Sequence, residues 1–413
     1  MLFADDRPNR MPTKLEAAAL GFMSSLGPLS VNAYVPGFHI MAEEFGTSLV
    51  GITQSLTLNL LAFALTTLLV GALSDTLGRR RTIIGGMLIF AVASFGAIVS
   101  ESLWALCFWR ILQGMSASVG QVVTQAMVRD RFSGRHAATM NGLILMFFAI
   151  SPAVAPVIGG YLITWFSWHA VFVFLGCYAL LIAGFMTWGV AETLPLEERR
   201  PFAPKALLSA YSANITHKAF MAGAIANGFC FMGGILYSAG AADYVITIMG
   251  LDVDDFALFT IPTTIATLLG SWAAARLVYR FNPRKTVYLS AVIATVLALI
   301  VTTIDYVWHP GFPWLLVGPC LFWFTSSLAR PVVMAMNLDY FPTNRGLAAS
   351  IQQFFVTGSF AFCTAVWIPI VMGHAWRYAF VTAFCGFMML VLWAYAMRHR
   401  SAALKAAGVK ETI

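Results

Sequence analysis

Gly71-Ala-Leu-Ser-Asp75-Thr-Leu-Gly78-Arg79-Arg80-Arg81-Thr-Ile83 decides the fold of this chain. It is a glycine-punctuated, triply basic stretch between two long apolar runs. Charge this dense does not sit in hydrocarbon, so the stretch marks a turn at a membrane face. Lys and Arg near span ends are retained on the cytoplasmic side, which assigns that face. Glycine at 71 and 78 allows two helices to approach and the chain to reverse tightly. Asp75 is placed to pair with the arginines at the rim.

The composition points the same way. Of 413 residues, 59% are hydrophobic and only 10% charged, with a mean hydropathy of +0.79; a soluble chain carries about 25% charged residues. Apolar runs of about 20 residues, each long enough to span a bilayer as a helix, recur along the whole length. The short alternating segments of an outer-membrane barrel are missing. The first 14 residues are polar, and the apolar run behind them is too long for a signal core, so no cleaved leader is expected. The net charge of +7 does not mark a nucleic-acid binder, because the bases cluster at span ends and form no stripe. Cys107, Cys177, Cys230, Cys320, Cys363 and Cys385 all lie inside apolar runs with no CxxC, so neither a disulfide framework nor a metal site is expected.

Twelve spans are expected, near 16–40, 47–73, 82–100, 103–128, 136–162, 168–190, 219–247, 255–278, 284–304, 312–338, 346–371 and 376–397. With both termini inside, the bases fall on one side. Arg7, Arg10 and Lys14 precede span one, and Arg79, Arg80 and Arg81 follow span two. Arg129, Arg131 and Arg135 follow span four; Arg199, Arg200, Lys205 and Lys218 flank the central loop. Arg276, Arg280, Arg284 and Lys285 follow span eight, Arg345 follows span ten, and Arg398, Arg400, Lys405 and Lys410 close the chain. Arg377 is the single base in an outside loop, and Arg110 and Arg330 lie at depth. This asymmetry gives an all-α integral membrane protein with cytoplasmic termini. The loop 191–217 divides it into six-helix bundles over 1–190 and 218–413. Internal repetition agrees: Asp130-Arg-Phe132 is echoed by Asp339-Tyr-Phe341, and Trp168-His-Ala-Val-Phe172 by Trp376-Arg-Tyr-Ala-Phe380, at offsets of 209 and 208 residues.

The chemistry must come from polar groups at depth. Arg110 stands in an apolar helix in Arg110-Ile-Leu-Gln113-Gly114, where a buried cation is costly unless it is paired or faces water. It either faces a cavity or snorkels to the outer interface. Arg330, next to Pro331, is the second such base, and Trp323, Arg330 and Asn337 share a helix face at seven-residue spacing. Pro152, Pro156, Gly159 and Gly160 predict a kinked fifth helix that lets a neighbour come close. Of the 18 carboxylates only Asp243 is neither at a cytoplasmic end nor in an outside loop; it is either a proton carrier or a rim acid facing water. Asn32, Tyr34, Gln121, Asn141 and Asn227 are further candidates to line a cavity with Trp323 and Arg330.

The pattern Gly-x-Leu-x-Asp-x-x-Gly-Arg-Arg-Arg resembles the signature between the second and third helices of the major facilitator superfamily of secondary transporters. Arg110-x-x-Gln113-Gly114 resembles the fourth-helix motif that its drug/proton antiporters use in proton coupling. Ser151-Pro152-Ala-Val-Ala155-Pro156-Val-Ile-Gly159-Gly160 resembles the antiporter motif, with Ala155 in a glycine position. Ser30-Val-Asn32-Ala-Tyr34-Val-Pro36 resembles the first helix of the Bcr/CflA drug-resistance branch, which carries an aspartate where this chain has Asn32. The resemblance runs from about residue 15 to 397. It implies alternating access between two bundles, export of small molecules driven by the proton gradient, and no cofactor, metal or nucleic-acid partner in a monomer. Gly71, Asp75, Gly78, Arg79, Arg80 and Asp130 would form the conformational switch, and Arg110, Gln113 and Asp243 would couple protons to substrate. Two cations at depth without a central acid favour neutral or anionic substrates. Asn32 supports the rival reading, a facilitator or importer of a small anionic metabolite. An enzyme is not expected, because HExxH, paired intramembrane carboxylates and a Ser/His dyad are all missing.

Overall fold

The computed structural model describes residues 13–199, 201–277, 282–341 and 345–406. Arg7, Arg10, Arg200, Arg280 and Lys410 of the charge pattern lie outside them. Every described regular element is helical. The first series is Lys14–Asn32 (α1), Phe38–Glu44 (α2), Leu49–Leu77 (α3), Arg79–Ile98 (α4), Leu103–Arg131 (α5), Gly134–Trp165 (α6) and Trp168–Gly189 (α7). Pro204–Ile215 (α8) follows. The second series is Lys218–Ala239 (α9), Phe256–Leu277 (α10), Pro283–Trp308 (α11), Val317–Leu338 (α12), Arg345–Phe362 (α13), Ile368–Val371 (α14) and Ala375–Ala406 (α15). π-helical stretches at Ala242–Ile248 and Cys363–Trp367 follow α9 and α13.

Each expected span overlaps one of the long helices, though the first, expected over 16–40, breaks after Asn32 and continues through a short turn at Val35–Gly37 into α2; nine described helices are long and apolar enough to cross a bilayer. Two further details differ. The central loop at 191–217 contains α8, and α15 runs to Ala406, past the expected end near 397. Polar residues start the helices where the chain re-enters the apolar phase. Thr13 and Glu16 cap α1 reciprocally, and Ser48 and Ser102 accept the first free amides of α3 and α5. On α3, Leu61, Leu65, Leu69, Leu73 and Leu77 form a four-residue stripe with exposures between 39% and 51%. That apolar ridge, about 24 Å long at 1.5 Å per residue, is a surface for lipid.

The chain divides into two compact units, Met1–Pro204 and Lys205–Ile413. Within the first, the second long helix packs on the fourth (α3 on α5), the third on the sixth (α4 on α7) and the first on the fifth (α1 on α6). The second unit repeats that order as α10 on α12, α11 on α15 and α9 on α13. Trp168 and Trp376, paired by the sequence repeat, both lie in the first turn of their unit's sixth long helix. The second-to-fourth contact uses the same device twice. A Cβ on Gly114 would collide with the Asn59 carbonyl, and one on Gly270 with the Phe324 carbonyl. Without hydrophobic drive in lipid, such backbone approach is how helices gain contact. Asn59, 1% exposed, closes the first of these by donating Nδ2 to the Arg110 carbonyl at 2.8 Å. Gly71 is different: a Cβ there would meet only Val122 at 4.0 Å, so the expected tight approach at Gly71 is not found.

α9 begins at a titratable cap. The His217 Nδ1 accepts the Phe220 amide at 3.1 Å, with the ring against Tyr340 and Phe341. Burial holds the imidazole below its ordinary pKa, favouring the neutral form that caps. Because the folded value lies below the unfolded one, unfolding takes up a proton. The contribution is therefore complete above about pH 6.5 and is lost as pH falls beneath it. Melting of the purified chain between pH 8 and 5.5 should show this fall, and His217→Asn, which caps without titrating, should flatten it.

Candidate functional site

Two polar constellations in the first unit and one in the second meet the expected residues. The first is the Gly78 turn. α3 ends at Leu77 and α4 starts at Arg79, so the reversal takes one residue, Gly78, at φ +94°. Only glycine adopts that conformation freely. A Cβ there would also stand 2.5 Å from the Glu192 carboxylate and 2.7 Å from the Arg199 guanidinium.

The arginines at this turn divide the work. Arg79, with 7% of its side chain exposed, donates Nε to Asp130 at 2.9 Å and Nη1 to Ser74 at 2.7 Å and to Asp75. Among the described residues Arg80 takes no carboxylate. Its guanidinium donates to the Met186 and Thr187 carbonyls in the last turn of α7. The expected charge cluster is thus Asp75, Arg79 and Asp130, while Arg80 caps a helix C-terminus, where a cation is favoured. Glu192, just past α7, completes the turn. One of its oxygens accepts the amides of Arg79 (2.9 Å), Thr193 (3.0 Å) and Leu194 (3.2 Å), and the other lies 3.5 Å from Arg199. The Thr193 hydroxyl donates to Asp130 at 3.1 Å and Arg131 to the Glu192 carbonyl at 3.2 Å. An α-helix that opens with Arg79, Arg80 and Arg81 has the wrong sign for its dipole. Glu192 supplies the missing negative charge and ties residues 192–199 to the turn.

The second constellation surrounds Arg110, which is 0% exposed. Its guanidinium lies 4.1 Å from the centre of the Tyr34 ring and 5.9 Å from that of Phe172. Nη1 donates to Gln113 at 2.7 Å, and Gln113 passes its own donor to Ser94 at 2.7 Å. Nε and Nη2 are buried without an acceptor, and among the described residues no carboxylate pairs with Arg110. Arg110 therefore does not snorkel to an interface; it is occluded beneath Tyr34, whose hydroxyl lies 3.3 Å from that of Ser55. Asn32 is close in sequence but turned away, donating Nδ2 to the Pro28 carbonyl at 2.8 Å. Gln121 and Asn141 are half-buried, and the Asn141 Oδ1 is without a donor. Along α6 the helix continues through Pro152 and Pro156. A Cβ on Gly159 would collide with the Ala33 carbonyl, and Gly160 is buried.

The third constellation belongs to the second unit. Asp243, 3% exposed, is not a rim acid facing water. One oxygen accepts the Tyr378 hydroxyl at 3.0 Å and the Gly373 amide at 2.9 Å, which fastens the start of α15 to the π-helical stretch after α9. Tyr378 is stacked on Tyr237, and Tyr244 stands edge-on to both, with ring centres 5.0 to 5.7 Å apart. Asp243 thus lies in a different unit from Arg110 and Gln113. Arg330 stacks 4.3 Å from the Phe231 ring, Trp323 sits edge-on to Phe231, and Asn337 donates to the Phe220 carbonyl at 3.1 Å. Asn227 is buried with Oδ1 unsatisfied. Asp339, the repeat partner of Asp130, pairs with Arg400 of α15 at 2.9 Å.

The sequence profile described as Major Facilitator Superfamily matches residues 20–301. The chain belongs to the Major Facilitator Superfamily. It is 30% identical over 293 residues to the uncharacterized MFS-type transporter YdgK of Bacillus subtilis, covering 70% of this chain and 73% of that one. To multidrug resistance protein D of Escherichia coli it is 28% identical, over 80% of this chain and 83% of the relative. To the chloramphenicol resistance protein CraA of Acinetobacter baumannii it is 26% identical, over 93% and 94%. Among solved structures, the D-xylose-proton symporter superposes with a TM-score of 0.73 over 92% of this chain and 96% of its own, at 14% identity. The facilitator fold is therefore present across nearly the whole chain. Glu192, Ser94, Ser55 and Tyr378 are the site residues that sequence reasoning missed. Glu192 had a weak signal, an acid directly after a span, but nothing local to it points to Arg79.

Removal of Glu192 tests the turn of this facilitator. Glu192→Ala leaves buried amides without an acceptor, which costs about 1–3 kcal/mol. Thermal unfolding should fall accordingly, Glu192→Gln should lose less because it keeps an acceptor oxygen, and protease should cut sooner between 192 and 199.

Proposed function

We propose that this facilitator exports small drug-like molecules in exchange for protons, by alternating access of its two bundles. Its site lies within a membrane whose cytoplasmic side holds both termini, as the placement of Lys and Arg argues. The observation that carries the reading is Arg110, a buried guanidinium with two unsatisfied donors under Tyr34, in a helix packed by Gly114. A buried unpaired cation is expensive and persists where a site uses it. The relatives named for multidrug and chloramphenicol resistance supply the substrate class. Arg110 and Gln113 form the polar element of the first unit that substrate or proton transfer perturbs, and Tyr34 covers it. The ion-paired cluster of Asp75, Arg79 and Asp130 holds one conformation at the cytoplasmic end and releases it in the other. The protein works as a monomer, without metal or cofactor, and draws on the proton gradient.

Proton exchange needs a group that gains and loses a proton as access alternates. Asp243 fills that role, a buried carboxylate whose partners are a tyrosine hydroxyl and one amide. Asp305, also 3% exposed, is engaged by the Trp314 indole at 3.0 Å and serves as the control. A second reading is favoured by Asn32, whose amide carries no proton to exchange and is spent on Pro28. In that reading the chain is a facilitator or importer of a small anion without proton antiport.

Liposomes holding the purified chain and a pH-sensitive dye separate the two. Addition of chloramphenicol across a proton gradient should move protons, and Asp243→Asn should slow this about ten-fold or more while Asp305→Asn does not. Drug movement without proton movement in any version would establish the facilitator reading instead.

A further inference from the structure

We propose that Arg330, Phe231 and Trp323 form a subsite of the second unit for the anionic group of an aromatic substrate, so that aryl carboxylates are among the molecules carried. The proposal rests on the export reading above and names a substrate class for it. Three observations lead there. The Arg330 guanidinium lies 4.3 Å from the centre of the Phe231 ring. Trp323 stands edge-on to that ring at 5.9 Å and 81°, and a Cβ on Gly234 would stand 2.8 Å from its indole. Arg330, Phe231 and Trp323 are each half-buried, whereas Arg110 is closed off completely.

Arg330 also lacks an acceptor. Among the described residues it makes no hydrogen bond or ion pair, unlike Arg79, Arg80, Arg131, Arg199 and Arg400. The absence has a cause in the sequence. α9, α12 and α13 pack together, and none of the three contains an Asp or Glu. A guanidinium stays charged under all ordinary conditions. In this setting only its ring contact offsets the loss of water, and a cation–π contact is worth much less than a carboxylate fork.

The geometry selects the ligand. Phe231 lies against the guanidinium, whose donors make no hydrogen bond among the described residues. A planar carboxylate meets a guanidinium edge with two parallel hydrogen bonds. An aromatic ring joined to that carboxylate extends beside Trp323, where offset or edge-on contact is favourable. A neutral aromatic keeps the ring contact and loses the fork. A quaternary ammonium analogue meets like charge with no acid nearby.

One ring carrying three charges tests this. Binding of 4-nitrobenzoate, 4-nitrobenzamide and (4-nitrobenzyl)trimethylammonium to the purified full chain is measured by calorimetry. The carboxylate should bind about ten-fold more tightly than the amide, as one charge-assisted pair predicts, and the cation most weakly. Arg330→Gln should bring the carboxylate-to-amide ratio towards one, and Arg330→Lys should keep part of it as a point charge without the fork. Phe231→Leu should weaken the carboxylate while leaving a ratio above one. Equal binding of the three probes, no binding of the carboxylate, or a ratio that survives Arg330→Gln overturns the subsite. Export of the same probes from liposomes separates this from the parent reading. Export of the amide without charge discrimination leaves the exporter standing and removes the subsite. An Arg330-dependent ratio with no transport of any probe leaves the binding subsite but overturns both the export reading and the claim that aryl carboxylates are carried.

Discussion

A bilayer core offers no partner to a polar group, and this constraint orders the rest of the structure. Backbone amides must be satisfied within each helix, so every regular element described here is helical. Charges must leave the core or find a partner in the chain. Most leave: the bases gather at helix ends, where Arg79 takes Asp75 and Asp130, and Arg400 takes Asp339. These pairs sit at the ends of the fourth long helix in each unit, so one solution serves the fold twice. The partner differs, a residue after the second helix in one unit and one at the end of the sixth in the other.

Lipid also removes the usual drive for packing. Apolar side chains gain little by leaving hydrocarbon for a protein interior, so contact must come from backbone approach and interhelical hydrogen bonds. Gly114 against the Asn59 carbonyl and Gly270 against the Phe324 carbonyl show the approach. Asn59 on the Arg110 carbonyl and Asn337 on the Phe220 carbonyl show the bonds. The amides that sequence alone offers as cavity-lining groups are therefore mixed. Asn32 and Asn337 are spent on backbone, while Asn141 and Asn227 each keep an unsatisfied oxygen.

The fold was legible in the sequence because its signals are long. A run of about 20 apolar residues and a bias of Lys and Arg survive any single substitution. The turn was legible in kind but not in detail. Gly78 is fixed by a positive φ and by Glu192, whereas Gly71, equally prominent in the motif, touches little. Arg80 and Arg79 look alike in sequence, yet one caps a helix and the other binds acids. Such distinctions depend on which segment arrives from far along the chain, as Glu192 does at the Arg79 amide from 113 residues away. α8 escaped because twelve residues in a polar linker lack the length that makes a span visible. Asp243 was readable as the odd carboxylate, but its burial depends on Tyr378 and Gly373, which no local spacing brings near it.

Arg110 and Arg330 remain as the exceptions to the rule that charge leaves the core. Each lies on the fourth long helix of its unit and stacks on an aromatic side chain from the first helix or the turn after it, Tyr34 or Phe231. An acid in place of either ring would close a salt bridge, and separating a buried pair costs several kcal/mol. A ring holds the cation by a weaker contact of about 1–2 kcal/mol. The cation is thereby kept in place but left able to change partners. Arg110 donates one bond to Gln113 and keeps two donors unspent; Arg330 is half-buried and makes no hydrogen bond among the described residues. A transporter that must bind its cargo and then release it needs charges held this loosely. The acid-free helices α9, α12 and α13 create this condition for Arg330, and among the described residues Arg110 likewise has no carboxylate partner.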